Sequence, residues 1–276
     1  MNKEKLTSLL SSIHILPSER PRHTAPNRVS APEHFNGTIR IVSYNIKFSA
    51  KITAAVNLFK SNEFLRGADI ICLQEMNVDS VEHIAGELGY NFVYYKAAAH
   101  ILHRKYLGNA VLSKWPIIGD EKIVLPQDDE GHSRRIAVRA TVDINGRHLV
   151  VFSVHKEVFI RPVIRRQQAK TIIRAIPDDH RLCVIAGDFN TFRKNVLQSI
   201  VESFVDHDFE LATGDVGWTY RHWYLLNRKS LLDHIFVRGF SVVSSGKVND
   251  RTASDHLPVW TELKLLEDHD NNLPAK

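Results

Sequence analysis

The stretch CVIAGDFNTF, Cys183 to Phe192, opens with apolar residues and ends with a carboxylate and a carboxamide. Its first half predicts a buried strand. Side chains alternate across a strand, so Asp188 and Asn190 share a face if the extended conformation continues through Phe189. We therefore predict that the two polar groups hold one ligand, with Gly187 letting backbone approach it closely. The alternative is a polar turn that only closes the strand.

Apolar runs of strand length recur along the chain from Ile39 onward. Apolar residues at helical spacing predict helices within 54–66, 80–88 and 161–176, and Ser80 is a candidate cap for the second. A β-α-β-α opening is followed by segments typical of hairpins, one of them with an Asn145-Gly146 turn. This order predicts an α/β fold, a four-layer α-β-β-α sandwich of two mixed β-sheets flanked by helices.

The chain is expected to form one folded domain over residues 39–265. Residues 1–38 are interpreted as an N-terminal extension or linker, because Pro, Ser, Arg and His dominate its second half. Residues 1–21 are expected to form at most a short amphipathic helix. Residues 266–276 form a polar C-terminal tail. No internal repeat is evident in the sequence.

Composition limits the function classes. Of the 276 residues, 43% are hydrophobic, which is enough for a sizeable core, and the formal net charge of +5 suits a polyanionic partner such as nucleic acid or an anionic lipid surface. Cys72 and Cys183 each lie in an apolar run, which favours reduced thiols and a cytoplasmic location. No segment reaches the roughly 18 apolar residues of a membrane-spanning helix, so no integral membrane segment is predicted.

Polar groups stand at the ends of, or inside, six separate apolar runs. Burying even one of them without a partner costs a few kcal/mol, so their convergence on one cleft is the simplest interpretation. They are Asn45, Glu75, His155, Asp188 with Asn190, Asp233, and Asp255 with His256. Carboxylate and amide oxygens suit Mg²⁺ or Mn²⁺, and the usual zinc spacings are missing. Hydrolysis of phosphate esters needs a metal, a base and hydrogen-bond donors, and this set offers all three.

The motifs SYN, LQE, GNAVLS, VH followed by Glu157, GDFN, LLDHIFV and SDHLPV occur in one order along the chain. In this order the sequence resembles the endonuclease/exonuclease/phosphatase superfamily, which has the deoxyribonuclease-I-like fold. The resemblance extends from about residue 39 to residue 265. It implies a catalytic domain over that range and a divalent metal ion, Mg²⁺ or alternatively Mn²⁺.

The resemblance also implies individual roles on the metal side of the site. Glu75 would be the principal metal ligand, and Asn45 would contact the metal or the phosphate beside it. Asp255 would be available to a metal ion or to the groups that surround one.

On the catalytic side, the resemblance implies that Asp188 orients or deprotonates the attacking water and that Asn190 holds the scissile phosphate. His256 would donate to a phosphate oxygen, kept charged and correctly oriented by Asp233, because a carboxylate partner raises the pKa of a histidine. His155 would supply a further donor. The nucleophile is expected to be water, since the sequence has no GxSxG motif.

The substrate is less clearly indicated by the sequence. Trp218, Arg221 and Trp223 lie in a run of aromatic and basic residues that suits stacking on bases, although a membrane interface or simple packing would also explain it. Asn109 is a further candidate beside the site. A nuclease or nucleic-acid phosphodiesterase is the first hypothesis. A sphingomyelinase-like phospholipid phosphodiesterase and a non-catalytic phosphate-binding module of the same fold are the alternatives.

Overall fold

The structure of the protein, a computed structural model, describes residues 13–15, 22–24, 32, 34–100, 105–127, 135–157, 160–222 and 228–266. Its first sheet has six main strands. In spatial order they are β5 (Asn91–His100), β6 (Lys105–Ser113), β4 (Ile70–Met76), β3 (Thr38–Asn45), β16 (Val259–Leu265) and β15 (Phe240–Lys247). Only β3 and β4 run parallel, so the sheet is mixed.

The second sheet also has six strands. In spatial order they are β11 (Glu210–Leu211), β14 (Asp233–Arg238), β10 (Leu182–Asp188), β9 (Arg147–His155), β8 (Ile136–Ile144) and β7 (Ile117–Val124). Here β9 and β10 form the parallel pair. The predicted turn between β8 and β9 is confirmed, since Asn145 and Gly146 both have positive φ, as a type I′ turn requires. A separate hairpin pairs β12 (Tyr220–Arg221) with β13 (Lys229–Ser230).

Four helices cover the outer faces of the two sheets: α1 (Ile52–Ser61), α2 (Val78–Leu88), α3 (Pro162–Arg174) and α4 (Lys194–Val205). One apolar core lies between the sheets. A second joins α1 and α2 to the first sheet, and a third joins α3 and α4 to the second. The predicted four-layer sandwich is therefore confirmed. No helix in the described part of the chain is long and apolar enough to cross a membrane.

Two local predictions differ from the structure. The helix α4 was not predicted, although Val196, Ile200 and Phe204 recur along it at helical spacing and its Ile200 and Phe204 are buried. Ser80 does not cap α2. Its backbone N–H instead donates to the side chain of Asn77, which is the capping residue.

Within the N-terminal extension, two short segments are described. Ile13–Ile15 forms β1 and Arg22–Thr24 forms β2, and both pair antiparallel with β5. The expectation of at most a short helix in residues 1–21 is wrong for Ile13–Ile15, which pairs its backbone groups with the edge of the sheet.

Candidate active site

The site lies where the two parallel strand pairs end. Asn45 ends β3 beside Gln74 of β4, and Asp188 ends β10 beside His155 of β9. Because parallel neighbours finish at the same edge of a sheet, each pair delivers its terminal side chains together. The two sheets pack face to face, and the ends of both pairs therefore meet at one place.

Asp188 is at the centre of this group. Its side chain is 2% exposed, and its Oδ2 accepts a hydrogen bond from Asn45 Nδ2 at 3.1 Å. The same oxygen lies 3.6 Å from His155 Nε2 and 3.7 Å from His256 Nε2. Burial raises the pKa of Asp188 to about 7, against the opposing effect of the charge on His256. A carboxylate with this pKa exchanges a proton near neutral pH.

The backbone around Asp188 differs from the predicted extended strand. Gly187 is required by the neighbouring strand, because a Cβ there would lie 1.9 Å from the carbonyl oxygen of Val154. Asn190 has a left-handed conformation, with φ of 51°, so the strand does not continue to it. Its backbone N–H donates to Asp188 Oδ1 at 2.9 Å, and its side-chain nitrogen donates to the carbonyl of Lys156 at 2.8 Å. A tight turn therefore keeps the two residues together.

Glu75 reaches the site through an irregularity in β4. The register between β4 and β6 shifts between Leu73 and Met76, and Glu75 itself has φ of 58°. A bulge of this kind re-aims a side chain, and positive φ in a non-glycine residue is typical of functional sites. Glu75 Oε1 lies 3.4 Å from Asn45 Nδ2, and Oε2 accepts the backbone N–H of Phe48 at 3.1 Å.

His256 is held from two directions. Its Nδ1 faces both oxygens of Asp233, at 2.9 and 3.2 Å, and its backbone N–H donates to Ser254 Oγ at 3.2 Å. Burial alone would lower the pKa of His256, but the carboxylates of Asp233 and Asp188 outweigh this effect and raise it to about 10. His256 is therefore a buried cation at neutral pH, with Nε2–H directed towards Asp188.

The partner of His155 is a cation, whereas the partner of His256 is a carboxylate. Arg135 Nη1 lies 3.1 Å from His155 Nδ1, and Glu157 holds Arg135 through an Nε–Oε2 contact of 3.2 Å. A guanidinium group only donates, so Nδ1 must accept and the ring proton must be on Nε2. Burial, followed by the charge of Arg135, lowers the pKa of His155 well below its usual range. His155 is therefore a neutral donor.

The residues present fit a divalent cation on the side of Glu75. Asn45 Oδ1 is buried and has no hydrogen-bond partner among the described residues, and Glu75 lies beside it with a partly accessible carboxylate. Amide and carboxylate oxygens are hard donors of the kind that Mg²⁺ binds. The third predicted ligand, Asp255, pairs with Lys47, whose Nζ lies 2.7 Å from Asp255 Oδ2.

A second cluster meets the geometric requirement for a metal site. Asp188, Asp233 and His256 each offer one ligand atom, and these atoms lie within 4.8 Å of one another. Both oxygens of Asp233 already face His256 Nδ1 in a fully buried position. This cluster is explained by the internal ion pair, so Glu75 and Asn45 remain the better cation ligands.

The four residues that were predicted to contact the substrate do not form one group in the described part of the chain. Asn109 is buried, and its side-chain nitrogen donates to the carbonyls of Ile136 and Ser153, which joins the two sheets. Trp218 and Arg221 are half-buried in and beside the β12–β13 hairpin. Trp223 lies outside the described residues.

Sequence reasoning missed the supporting roles of Lys47, Arg135 and Ser254, of which Arg135 was considered only as a basic candidate for substrate contact. Ser254 Oγ donates to the carbonyl of Asn45 at 2.7 Å and so joins the two motifs SYN and SDH. Ser254 could have been found from the sequence, because it lies in the SDH motif beside Asp255 and His256. The contacts of Lys47 with Asp255 and of Arg135 with His155 could not be predicted from spacing, because the paired residues are far apart in sequence.

Residues 42–256 match the model of the Endonuclease/Exonuclease/phosphatase family. The fold is similar to a solved endonuclease/exonuclease/phosphatase from Beutenbergia cavernae, with a TM-score of 0.67 and 20% identity over 83% of this chain and 72% of that one. It is also similar to D. rerio TDP2 complexed with single strand DNA product, with a TM-score of 0.65 and 16% identity over 83% and 100% of the two chains.

A third similar structure is the human Nocturnin catalytic domain with bound sulfate anion, with a TM-score of 0.64 and 18% identity over 84% of this chain and 96% of that one. At such identities the likeness shows a shared fold. A search of curated protein sequences found no match.

Proposed function

The chain belongs to the endonuclease/exonuclease/phosphatase family, and from this premise we propose that it is a divalent-metal-dependent phosphodiesterase that uses activated water. The observation that carries the proposal is the position of Asp188. One buried carboxylate oxygen lies within 3.7 Å of two imidazole nitrogens and within hydrogen-bonding distance of Asn45. A base next to two donors is what attack of water on a phosphate diester needs.

The roles follow from the charge state of each group. Asp188 takes a proton from the attacking water while the water oxygen forms a bond to phosphorus and the ester P–O bond breaks. His256, charged at neutral pH, donates from Nε2 to a nonbridging phosphate oxygen, and His155 donates from its own Nε2–H. Asn190 lies beside them and is proposed to contact the same phosphate. Asp233 keeps His256 charged.

Glu75 and Asn45 are proposed to hold the metal ion, and Asp255, which pairs with Lys47, is proposed to belong to the groups that surround it. A bound Mg²⁺, or alternatively Mn²⁺, would neutralise charge on the phosphate oxygens. The orphaned Oδ1 of Asn45 supports this assignment.

Nucleic acid is the proposed substrate. The formal net charge of +5 and the aromatic and basic residues around Trp218 favour a polyanion with bases. D. rerio TDP2, which shares the fold, is seen with single strand DNA product. We further propose a reducing, cytoplasmic environment, because Cys72 and Cys183 are both buried free thiols.

The test is hydrolysis of bis-p-nitrophenyl phosphate by the full chain with Mg²⁺ and with EDTA, followed by single-stranded DNA, RNA and sphingomyelin vesicles. We expect turnover that needs the metal and that extends to nucleic acid. Turnover only on vesicles would favour a phospholipid phosphodiesterase instead. Absence of turnover on every substrate would favour a non-catalytic phosphate-binding module.

A further inference from the structure

Two lysines, Lys229 and Lys247, make cation–π contacts with the indole ring of Trp218. Lys229 Nζ lies 4.7 Å from the ring centre and Lys247 Nζ lies 4.8 Å from it. Lys247 also donates to the carbonyl of Trp218 at 2.6 Å. The bare side of Gly217 leaves room for it, since a Cβ there would lie 3.2 Å from Lys247 Nζ. Both ammonium groups thus lie against the same aromatic residue.

Among the described residues, neither Lys229 nor Lys247 forms an ion pair with Asp or Glu. Partial burial lowers the pKa of Lys247, and repulsion from Lys229 lowers it further. Like charges repel each other, while contact with an aromatic face is favourable for each ammonium group. An anion between or beside them would relieve the repulsion.

The lysine pair is connected to the catalytic histidine through the backbone of the same segment. Thr219 Oγ1 accepts the backbone N–H of Asp233 at 3.1 Å, and the carbonyl of Thr219 accepts that of Leu257 at 2.7 Å. Tyr220 forms a β-bridge with His256, and their rings are 4.6 Å apart. Trp218 is therefore only two residues from a direct contact of the catalytic centre.

We propose that Lys229 and Lys247 bind a backbone phosphate of a polynucleotide next to the one that is cleaved, an inference that rests on the proposed phosphodiesterase function. A small diester has no such neighbouring phosphate, whereas a polynucleotide has one on each side. The aromatic ring is then a support that positions two ammonium groups and is not primarily a platform for a base. This gives the chain a reason to prefer polymers.

The experiment compares Lys229→Gln, Lys247→Gln and the double variant with Lys264→Gln, an exposed lysine paired with Thr38 at the opposite end of β3 from the site. Binding of a fluorescein-labelled single-stranded DNA is measured by anisotropy in EDTA over a series of salt concentrations. Each site variant should raise Kd about fivefold and lower the slope of log Kd against log salt by about 0.7 to 1. Lys264→Gln should match the wild type.

Hydrolysis of bis-p-nitrophenyl phosphate is measured in parallel, and the site variants should change it less than they change DNA affinity. If the wild type binds DNA through these lysines but hydrolyses nothing, the proposed function fails and the phosphate site stands. Unchanged DNA affinity and salt slope in the double variant would overturn the site. Binding to phosphatidylserine vesicles is measured as well. A double variant that loses vesicle binding but keeps its DNA affinity would also overturn the site.

Discussion

His155 and His256 place their Nε2 atoms at similar distances from the same oxygen of Asp188, 3.6 and 3.7 Å. Their Nδ1 atoms face opposite charges, Arg135 for His155 and Asp233 for His256. The pKa of one imidazole is therefore lowered and that of the other raised, although both rings are buried. Burial alone therefore does not decide the charge of a histidine, because the charge of the group that faces Nδ1 also shifts its pKa.

The largest effect is expected from removing the carboxylate that the two histidines share. Asp188→Asn should lower kcat on bis-p-nitrophenyl phosphate by about 1,000-fold, because the base is lost while the side chain keeps its size. Glu82→Gln, an exposed carboxylate change on α2, is the matched control. Thermal melts followed by circular dichroism verify folding, and a near-normal rate in a folded Asp188→Asn protein would contradict the assigned role.

The His256 side is tested by Asp233→Asn. We expect activity at pH 8 to fall about 100-fold. The alkaline limb of the rate profile should move down from about pH 10, because His256 loses the carboxylate that raises its pKa. Because the folded protein binds this proton more tightly than the unfolded chain, the pairing stabilises the fold fully below about pH 6.5, the ordinary pKa of histidine. This stabilisation is lost as pH rises through about 10. In denaturant melts, Asp233→Asn should therefore lose more stability relative to the wild type at pH 6 than near pH 10. An alkaline limb that does not move would contradict the pairing of Asp233 with His256.

The His155 side is tested through Arg135. In the wild type, ¹⁵N spectra of histidine-labelled protein should show His155 with an unprotonated Nδ1 and a protonated Nε2, and His155→Gln identifies the signals by their loss. Arg135→Ala should mix the tautomers and lower kcat about tenfold, because the donor directed to the phosphate is then present only part of the time. Arg135→Lys, which can still donate, should restore much of the rate. A protonated Nδ1 in the wild type would refute this view of His155.

A change in stability, with no catalytic group removed, is expected at Lys156, a buried amine that, unlike His256, lacks a carboxylate partner. Its Nζ has no hydrogen-bond partner among the described residues and lies 5.1 Å from the centre of the Phe189 ring. Burial, and then the charge of Arg165, lowers the pKa of Lys156 from 10.5 to about 7. The unfolded chain therefore binds the proton more tightly, so this lysine costs most stability below pH 7 and progressively less up to pH 10.5.

Lys156→Met should raise the free energy of unfolding by about 1 to 3 kcal/mol at pH 6, since it removes the buried charge and keeps the volume. The gain should shrink as pH rises from 7 to 10.5, the window set by the pKa shift. Urea melts of both proteins across this range measure the difference, and a gain that is independent of pH would show that Lys156 is not the titrating group.

Much of this site was readable from motifs. Glu75, Asp188 and His256 lie in runs whose order along the chain resembles a known family, and the structure brings all three together. Local reasoning failed where backbone geometry departed from a regular strand. Alternation predicted an extended Asn190, but a left-handed turn holds it, and Gly187 serves the approach of Val154. Periodicity describes a regular element and carries no information about where that element ends in a strained turn.

Strand periodicity and ordered motifs are local properties of the chain, and they were enough to predict the sandwich of two mixed sheets and to name most of the residues that the structure brings together. Only the tertiary structure decided the partners of these residues. Lys47 and Asp255 are 208 residues apart in sequence and 2.7 Å apart in space, and Arg135 approaches His155 only because β8 pairs with β9. The charge of each imidazole depends on such contacts, since electrostatic energy follows distance and burial in the folded protein.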